Sequence, residues 1–319
     1  MATKNSPGER REVLAEFLAN GGLDAALISN PKHIFYFTGF PSNLNMYLTL
    51  MKGPRSTSFL LIDNEAKGHL LLGGFEVSNP WVGKKSTRKK VFEGEVTVYS
   101  DYDLRETMIA YPNYLSRHLA KWIRDAKSEG VRLGRVGIED WHLAEIYRDT
   151  IRRAAGSTFE GVSEEILRMR RTKGGDEIDN LKKATQMIDY AYGVAKRNAR
   201  AGKSELDIYR EMNYRTFAKY GPFAWIIGDH VSGERSLAVG GWATPRRFRK
   251  TDTIVLDLQA AHNNYWSDLC RTFVVGKPSK KQVRAHDVLI KAKERAEELL
   301  EPGTKGSEIY EAVTREIER

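Results

Sequence analysis

Apolar residues in the first half of the chain follow two rhythms. Val13, Leu14, Phe17 and Leu18 recur at helical spacing and stop at Gly21 and Gly22, which predicts an amphipathic helix. The runs DAALIS, FLLID, HLLLG and RVGIED are short and apolar with turn-forming neighbours, which predicts strands. A helix set among such strands predicts an α/β domain. Between residues 153 and 177 the chain becomes charged and glycine-containing, which places a boundary near residue 165 and gives domains over 1–165 and 166–319.

Past that boundary the helical rhythm lengthens. Ile178, Leu181, Ile188, Ala191 and Ala195 mark a long helix with a polar outer face. A second helix starts at Ser204, with Asp207 three residues on to complete a cap, and runs through Leu206, Ile208 and Met212 towards Gly221. FAWIIG, TIVLDLQA and TFVVG follow as predicted strands. After Pro278 a stripe of Val288, Ala292, Ala296 and Leu299 predicts a third helix, and Ile309, Val313 and Ile317 a fourth.

Composition narrows the class. A chain of 319 residues exceeds the usual size of one domain, and 41% hydrophobic content is enough for two buried cores. The longest apolar runs, such as HLLLGG and TIVLDL, fall far short of the roughly 20 residues needed to span a bilayer. The opening MATKNSPGERREV has no apolar leader, and the single cysteine, Cys270, rules out an internal disulfide framework. These features predict a cytoplasmic protein with no membrane partner. The 51 basic and 42 acidic residues give a net charge of +9, with clusters at 84–90 (KKSTRKK), 246–250 (RRFRK) and 277–281. A basic surface attracts polyanions, yet no zinc finger, basic zipper or aromatic-interleaved RNA motif accompanies it, so nucleic acid is not an expected partner.

Candidate chemistry concentrates in the run DTIVLDLQAAHNNYWSDLCRTFVVG. Asp257 and Asp268, eleven positions apart, flank an apolar strand, the turn-forming HNN and a second strand, so a hairpin can bring the two carboxylates face to face. Hard divalent ions such as Mn, Mg, Co or Zn take carboxylate oxygens, and a bridging pair suits a two-metal site that activates water. The residues alone leave another reading open, because an Asp beside Asn-Asn also serves simply as a turn former.

The same run resembles a signature of the creatinase, aminopeptidase P and prolidase family, the pita-bread metallopeptidases. Tyr265, Ser267, Asp268, Arg271, Thr272 and Phe273 fall in register with its Tyr-x-Ser-Asp-x-Thr-Arg-Thr-Phe pattern, and Cys270 stands where a Thr is expected. Two earlier segments are similar to the family in the same order: Tyr36 to Phe40, a Tyr-x-Thr-Gly-Phe sequence, and Arg170, Lys173, Glu177 and Ile178 at the join between domains. The resemblance implies a creatinase-like α/β N-terminal domain followed by an α+β pita-bread catalytic domain, of which only the first part is present. It implies Asp257 and Asp268 as metal ligands, two divalent ions (Mn, Co or Zn) and a bridging hydroxide that attacks an amide carbonyl. Arg271 and Thr272 would support the ligands, the substrate would be a peptide or small amide, and the protein would be a homodimer. Family members complete the ligand set with a His in a Gly-His-Gly-like loop and two later Glu residues. None is legible after Asp268, so the chain is expected to be truncated at its C-terminus.

A second departure lies upstream. Peptidase members carry a substrate-contacting His about seventeen residues before the first ligand Asp, and this chain has Gly240 and Gly241 there. His230 is then the candidate for proton transfer, against the alternative of a surface-loop His beside Asp229. Tyr265, with Trp225, Trp242 and Trp266, is a candidate substrate wall, and core packing explains each as simply. Arg271 either orients a ligand carboxylate or makes an ordinary inter-strand ion pair. His262 reads as a turn residue and Cys270 as a small buried strand residue.

Three functions therefore compete. The retained Asp pair favours a metal-dependent hydrolase of amide C–N bonds resembling Xaa-Pro dipeptidase and aminopeptidase. The lost upstream His favours a creatinase- or ectoine-hydrolase-like enzyme acting on a small non-peptide substrate. The basic surface and the incomplete ligand set favour a non-catalytic pita-bread binding module.

Overall fold

The computed structural model describes residues 6–40, 58–74, 92, 94–100, 107–221, 224–238 and 240–318. The basic run at 84–90 lies outside them. The chain divides into two compact units, one of Met1–Asn180 with Asn263–Tyr265, the other of Leu181–His262 with Trp266–Arg319.

The first unit is built on a mixed sheet. Its elements are α1 (Pro7–Asn20), β1 (Ala25–Ile28), α2 (Pro31–Thr38), β2 (Phe59–Asp63), β3 (Gly68–Gly73), β4 (Glu95–Tyr99), α3 (Thr107–Ser128), β5 (Arg135–Ile138), α4 (Glu145–Ala155), β6 (Thr158–Gly161) and α5 (Ser163–Arg171). The strands lie in the order β4-β3-β2-β1-β5-β6. β2 runs antiparallel to both β1 and β3, while β4, β5 and β6 join by parallel pairing. AALI, FLLID and GHLLLG are buried at every position, as strands covered on both faces must be. Period-two alternation sorts their side chains into two cores. Leu27, Leu61 and Leu71 pack with Leu119, Trp122 and Ile151 on one face, and Ile28, Ile62 and Leu72 pack with Leu14, Leu18 and Phe37 on the other. Helix α1 starts at a capping box in which Ser6 Oγ accepts from the Glu9 amide at 3.2 Å, and Gly39, at φ +70°, ends α2 in the left-handed region that glycine favours.

A buried carboxylate organises one end of this sheet. Glu139 is 1% exposed and accepts hydrogen bonds from the Ser29 and Asn30 amides, the latter at 2.6 Å, at the start of α2. His33, buried within the first unit, bonds Glu139 through Nδ1, and its Nε2 lies 2.7 Å from Arg170 Nη1. A guanidinium only donates, so Nε2 accepts and Nδ1 carries the proton towards Glu139. Burial raises the Glu139 pKa, but the hydrogen bond from His33 and the two amides outweigh it and hold the carboxyl below its ordinary value.

The second unit stacks helices on an antiparallel sheet. It contains α6 (Gly175–Asn198, from Leu181 on), α7 (Glu205–Tyr220), β7 (Ile227–Ser232), a 3-10 turn (Gly233–Leu237), β8 (Thr253–His262), β9 (Tyr265–Val274), α8 (Lys280–Glu298) and α9 (Gly306–Glu318). Along β8, Ile254, Leu256, Leu258 and Ala260 are buried and pack with Ile188, Ala191, Val194, Ile208 and Met212 from α6 and α7. Helix α7 opens on the expected Ser204 and Asp207 capping box. One strand is displaced from its sequence-based position: FAWIIG predicts a strand over 223–228, but the pairing with β8 runs over Ile227–Ser232. Ala224 and Ile226 are buried without being in that ladder, because an apolar run marks burial rather than backbone pairing. Among the described residues no helix is long and apolar enough to cross a membrane.

The Glu139 cluster predicts a pH dependence. A depressed folded-state value means its stabilisation is full above the ordinary value of 4.5 and is lost as pH falls through the folded value. Glu139→Gln should lower stability at neutral pH by roughly 1–3 kcal/mol, the scale for mismatching buried hydrogen-bond partners. Its urea midpoint should also fall less steeply than wild type as pH drops below that ordinary value. Parallel midpoint curves for the two proteins would contradict the assignment.

Candidate metal centre

The β8–β9 hairpin turns at Asn263 and Asn264, both in the left-handed region at φ +47° and +63°. Two successive left-handed residues make the type I′ turn that matches the twist of the strands, and Asn tolerates that conformation. The Asn-Asn pair thus fulfils the turn role foreseen for it, which leaves Asp257 and Asp268, both within strands, for other work. Since 254, 256, 258 and 260 point into the core, Asp257 points to the opposite, more open face.

Asp257 and Asp268 lie on adjoining strands, near enough for the charge of Asp268 to act on Asp257. The Asp257 pKa is pushed up, first by burial, then by the charge of Asp268 and of a third carboxylate, Asp229. Asp229 is the direct cross-strand partner of Asp257 on β7. Its Oδ1 accepts a 2.9 Å hydrogen bond from the Gly241 amide. The donor chemistry fits a hard divalent cation: all oxygen, like-charged, and held together against repulsion that a cation would relieve. Among the described residues no group of three or more His, Cys, Asp or Glu is arranged to hold a metal ion.

The other candidates sit as follows. His230 is on β7, not a surface loop, and is 1% exposed. It pairs with the core residue Leu256, which puts its ring on the face opposite Asp229 and Asp257. Its Nδ1 lies 3.0 Å from the Gly228 carbonyl, its ring packs edge-on against Tyr209, and burial pushes its pKa down. The geometry therefore directs His230 away from the carboxylate pair. Tyr265 is buried, and its hydroxyl donates to Glu177 Oε1 at 2.9 Å, which commits it to the hairpin tip. Glu177 also accepts from the Gly174 amide at 2.9 Å. Arg271 is exposed and donates to the Cys270 carbonyl at 2.8 Å, and Thr272 beside it is exposed. Trp225 and Trp242 are both exposed.

Two residues escaped the sequence reading. Asp229 looked like a neighbour of His230 and nothing more, because its place opposite Asp257 depends on the displaced strand. Tyr192, on α6, directs its hydroxyl at the Leu256 and Leu269 carbonyls, at 2.7 and 2.5 Å, and so clasps both arms of the hairpin next to each Asp. Its signal was a polar-tipped aromatic on an otherwise aliphatic helix face.

The fold is a creatinase-like α/β domain followed by a pita-bread domain. Residues 10–172 match the Creatinase/Prolidase N-terminal domain and residues 179–319 match Metallopeptidase family M24. The chain belongs to this family of hydrolases, whose members use divalent metal ions. It is 30% identical to an Xaa-Pro dipeptidase of Pyrococcus horikoshii over 315 residues, covering 97% of this chain and 76% of the relative. An Xaa-Pro dipeptidase of Pyrococcus furiosus is 24% identical over the same shares. The solved prolidase from Pyrococcus horikoshii superposes with a TM-score of 0.72 at 23% identity, covering 97% of this chain and 77% of that one, a likeness of fold.

Replacing either carboxylate should weaken divalent-metal binding. Asp257→Asn and Asp268→Asn are each expected to reduce manganese affinity, measured by titration calorimetry, by at least about tenfold, the loss that changes one shell further out already produce. Unchanged affinity in both variants would remove the pair from the metal site.

Proposed function

We propose that this protein hydrolyses the amide bond of small peptides, with a preference for Xaa-Pro, using divalent metal held in part by Asp257 and Asp268. The observation that supports the reading is the carboxylate pair on adjoining strands, within the segment that matches Metallopeptidase family M24. The relatives named Xaa-Pro dipeptidase supply the substrate preference. Manganese or cobalt at the pair, two ions by the family pattern, supplies a Lewis acid that activates water and polarises the scissile carbonyl.

The chain's own residues prepare that site. Tyr192 fixes the backbone beside each Asp, so the two carboxylates meet without a search through strand registers. The Cys270 thiol is pushed towards its neutral form, first by burial and then by the charge of Asp257, which keeps thiolate from competing with the oxygen donors. Thr272, exposed on the same strand, shares the face of Asp268, whereas Arg271 alternates to the other face. A homodimer in a reducing, cytoplasmic compartment belongs to the same proposal. A creatinase- or ectoine-hydrolase-like reaction is the second reading, favoured by the lack of any side chain at Gly240.

The deciding assay offers the protein Xaa-Pro dipeptides, other dipeptides, and guanidino and cyclic amidine compounds, with and without chelator. Cleavage of Xaa-Pro dipeptides that chelator abolishes and manganese restores is expected. Turnover indifferent to chelator would overturn the metal reading, and turnover confined to non-peptide compounds would replace the first reading by the second.

A further inference from the structure

We propose that Asp229 is a positioning residue whose carboxylate pins the backbone of Gly240 and Gly241 across the face of the sheet that carries Asp257. The inference rests on the hydrolase reading of that face. Direct cross-strand partners in an antiparallel ladder project to the same side, so Asp229 and Asp257 stand side by side there. Asp229 Oδ1 accepts the Gly241 amide at 2.9 Å, and the His230 amide returns a 2.7 Å bond to the Gly241 carbonyl. Two successive residues of β7 therefore grip one residue of the loop.

Space confirms the grip. A Cβ on Gly240 would fall 2.3 Å from Asp229 Oδ2 and 2.8 Å from its Cγ, so the carboxylate occupies the room that any side chain at 240 would need. Gly240 and Gly241 hold φ of +83° and +148°, conformations suited to glycine. Just beyond, Arg235 Nη2 donates to the Trp242 carbonyl at 2.9 Å, and Arg235 is itself paired with the buried Glu205. Glu205 also accepts the Thr244 amide at 3.0 Å. The loop is thus fastened at 241, 242 and 244, and it presents Trp242, 69% exposed, from a fixed backbone beside the carboxylates.

The pin needs an acceptor at 229, not its charge, and two substitutions separate them. Asp229→Asn keeps an oxygen for the Gly241 amide and removes the charge, while Asp229→Ala removes both. In the metal-free protein, amide hydrogen exchange at Gly241 should speed at least about tenfold in Asp229→Ala and be restored by Asn, since exchange follows local opening. In the metal-loaded protein, Asp229→Ala should raise KM about tenfold on the wild-type substrate with a smaller change in kcat, the mark of lost binding geometry, and Asn should restore it. Gly240→Ala, which drives a methyl into the intact carboxylate, should reproduce the KM rise. An Asn variant that behaves like Ala shows that the charge acts, and overturns the proposal. So does an Ala variant that matches wild type in exchange and KM. If the wild type cleaves nothing, the hydrolase reading fails, and the exchange rates alone decide for or against the pin.

Discussion

The chemistry of this chain hangs on a two-residue turn. Asn263 and Asn264 both adopt the left-handed conformation, and that fixes how β8 returns as β9. Side chains alternate with a period of two, so a slip of one residue would send one Asp into the core and leave the other outside. Nothing about two like charges favours the arrangement, since Asp257 feels both burial and the charge of Asp268. The register is therefore imposed from elsewhere, by the turn at one end, by the core residues Ile254, Leu256 and Leu258 along β8, and by the Tyr192 hydroxyl between the carbonyls of Leu256 and Leu269. Repulsion held in place by packing is the condition under which a cation binds favourably.

Buried carboxylates do a different job in the same molecule. Glu139 and Glu205 are almost wholly inaccessible, and each is surrounded by donors: backbone amides of Ser29 and Asn30 with His33 for the first, Ser232, Arg235 and Thr244 for the second. An ion so placed is tolerated only when every donor is in position, so each Glu gathers segments remote in sequence. Glu139 joins the end of β1, helix α2 and the loop after β5 within the first unit. Glu205 joins the start of α7 to the loop that precedes β8 within the second. Among the described residues no such donors surround Asp257 and Asp268, in contrast to the carboxylates that build the fold.

Much of this was legible in the sequence, for identifiable reasons. Helices α1, α6 and α7 and strands β1, β2, β3, β5 and β8 declare themselves through period and caps, because burying one face leaves a regular trace. The Asp pair was legible because a hairpin is local, with turn residues and carboxylates in one short run. The α/β and pita-bread pairing, and the family, were legible through motif register at Tyr265 to Phe273 and at Tyr36 to Phe40. What failed was tertiary. The strand predicted over 223–228 slid to Ile227–Ser232 because ladder partners lie on another segment, and with it moved His230, from a presumed loop to the core face, and Asp229, from an incidental neighbour to a place opposite Asp257. Tyr265 looked like a substrate wall because its partner, Glu177, lies 88 residues away in the chain.

The displaced strand also changes the meaning of Gly240. Read as a position in a motif, a glycine where an imidazole is expected is a loss. In the structure, the absence of a side chain at 240 is what allows the Asp229 carboxylate to stand where it does, with its oxygen inside the volume a Cβ would take. The two residues are complementary: Asp229 with a side chain at 240 would be pushed from its place, and without Asp229 the Gly241 amide would lose its acceptor. A reading that scores positions one by one must miss such a pair, because the link between them is a hydrogen bond from Gly241 across twelve residues. The departure from the family pattern at Gly240 is thus coupled to Asp229, whose carboxylate holds the Gly241 amide from the strand and fills the room a side chain at 240 would need.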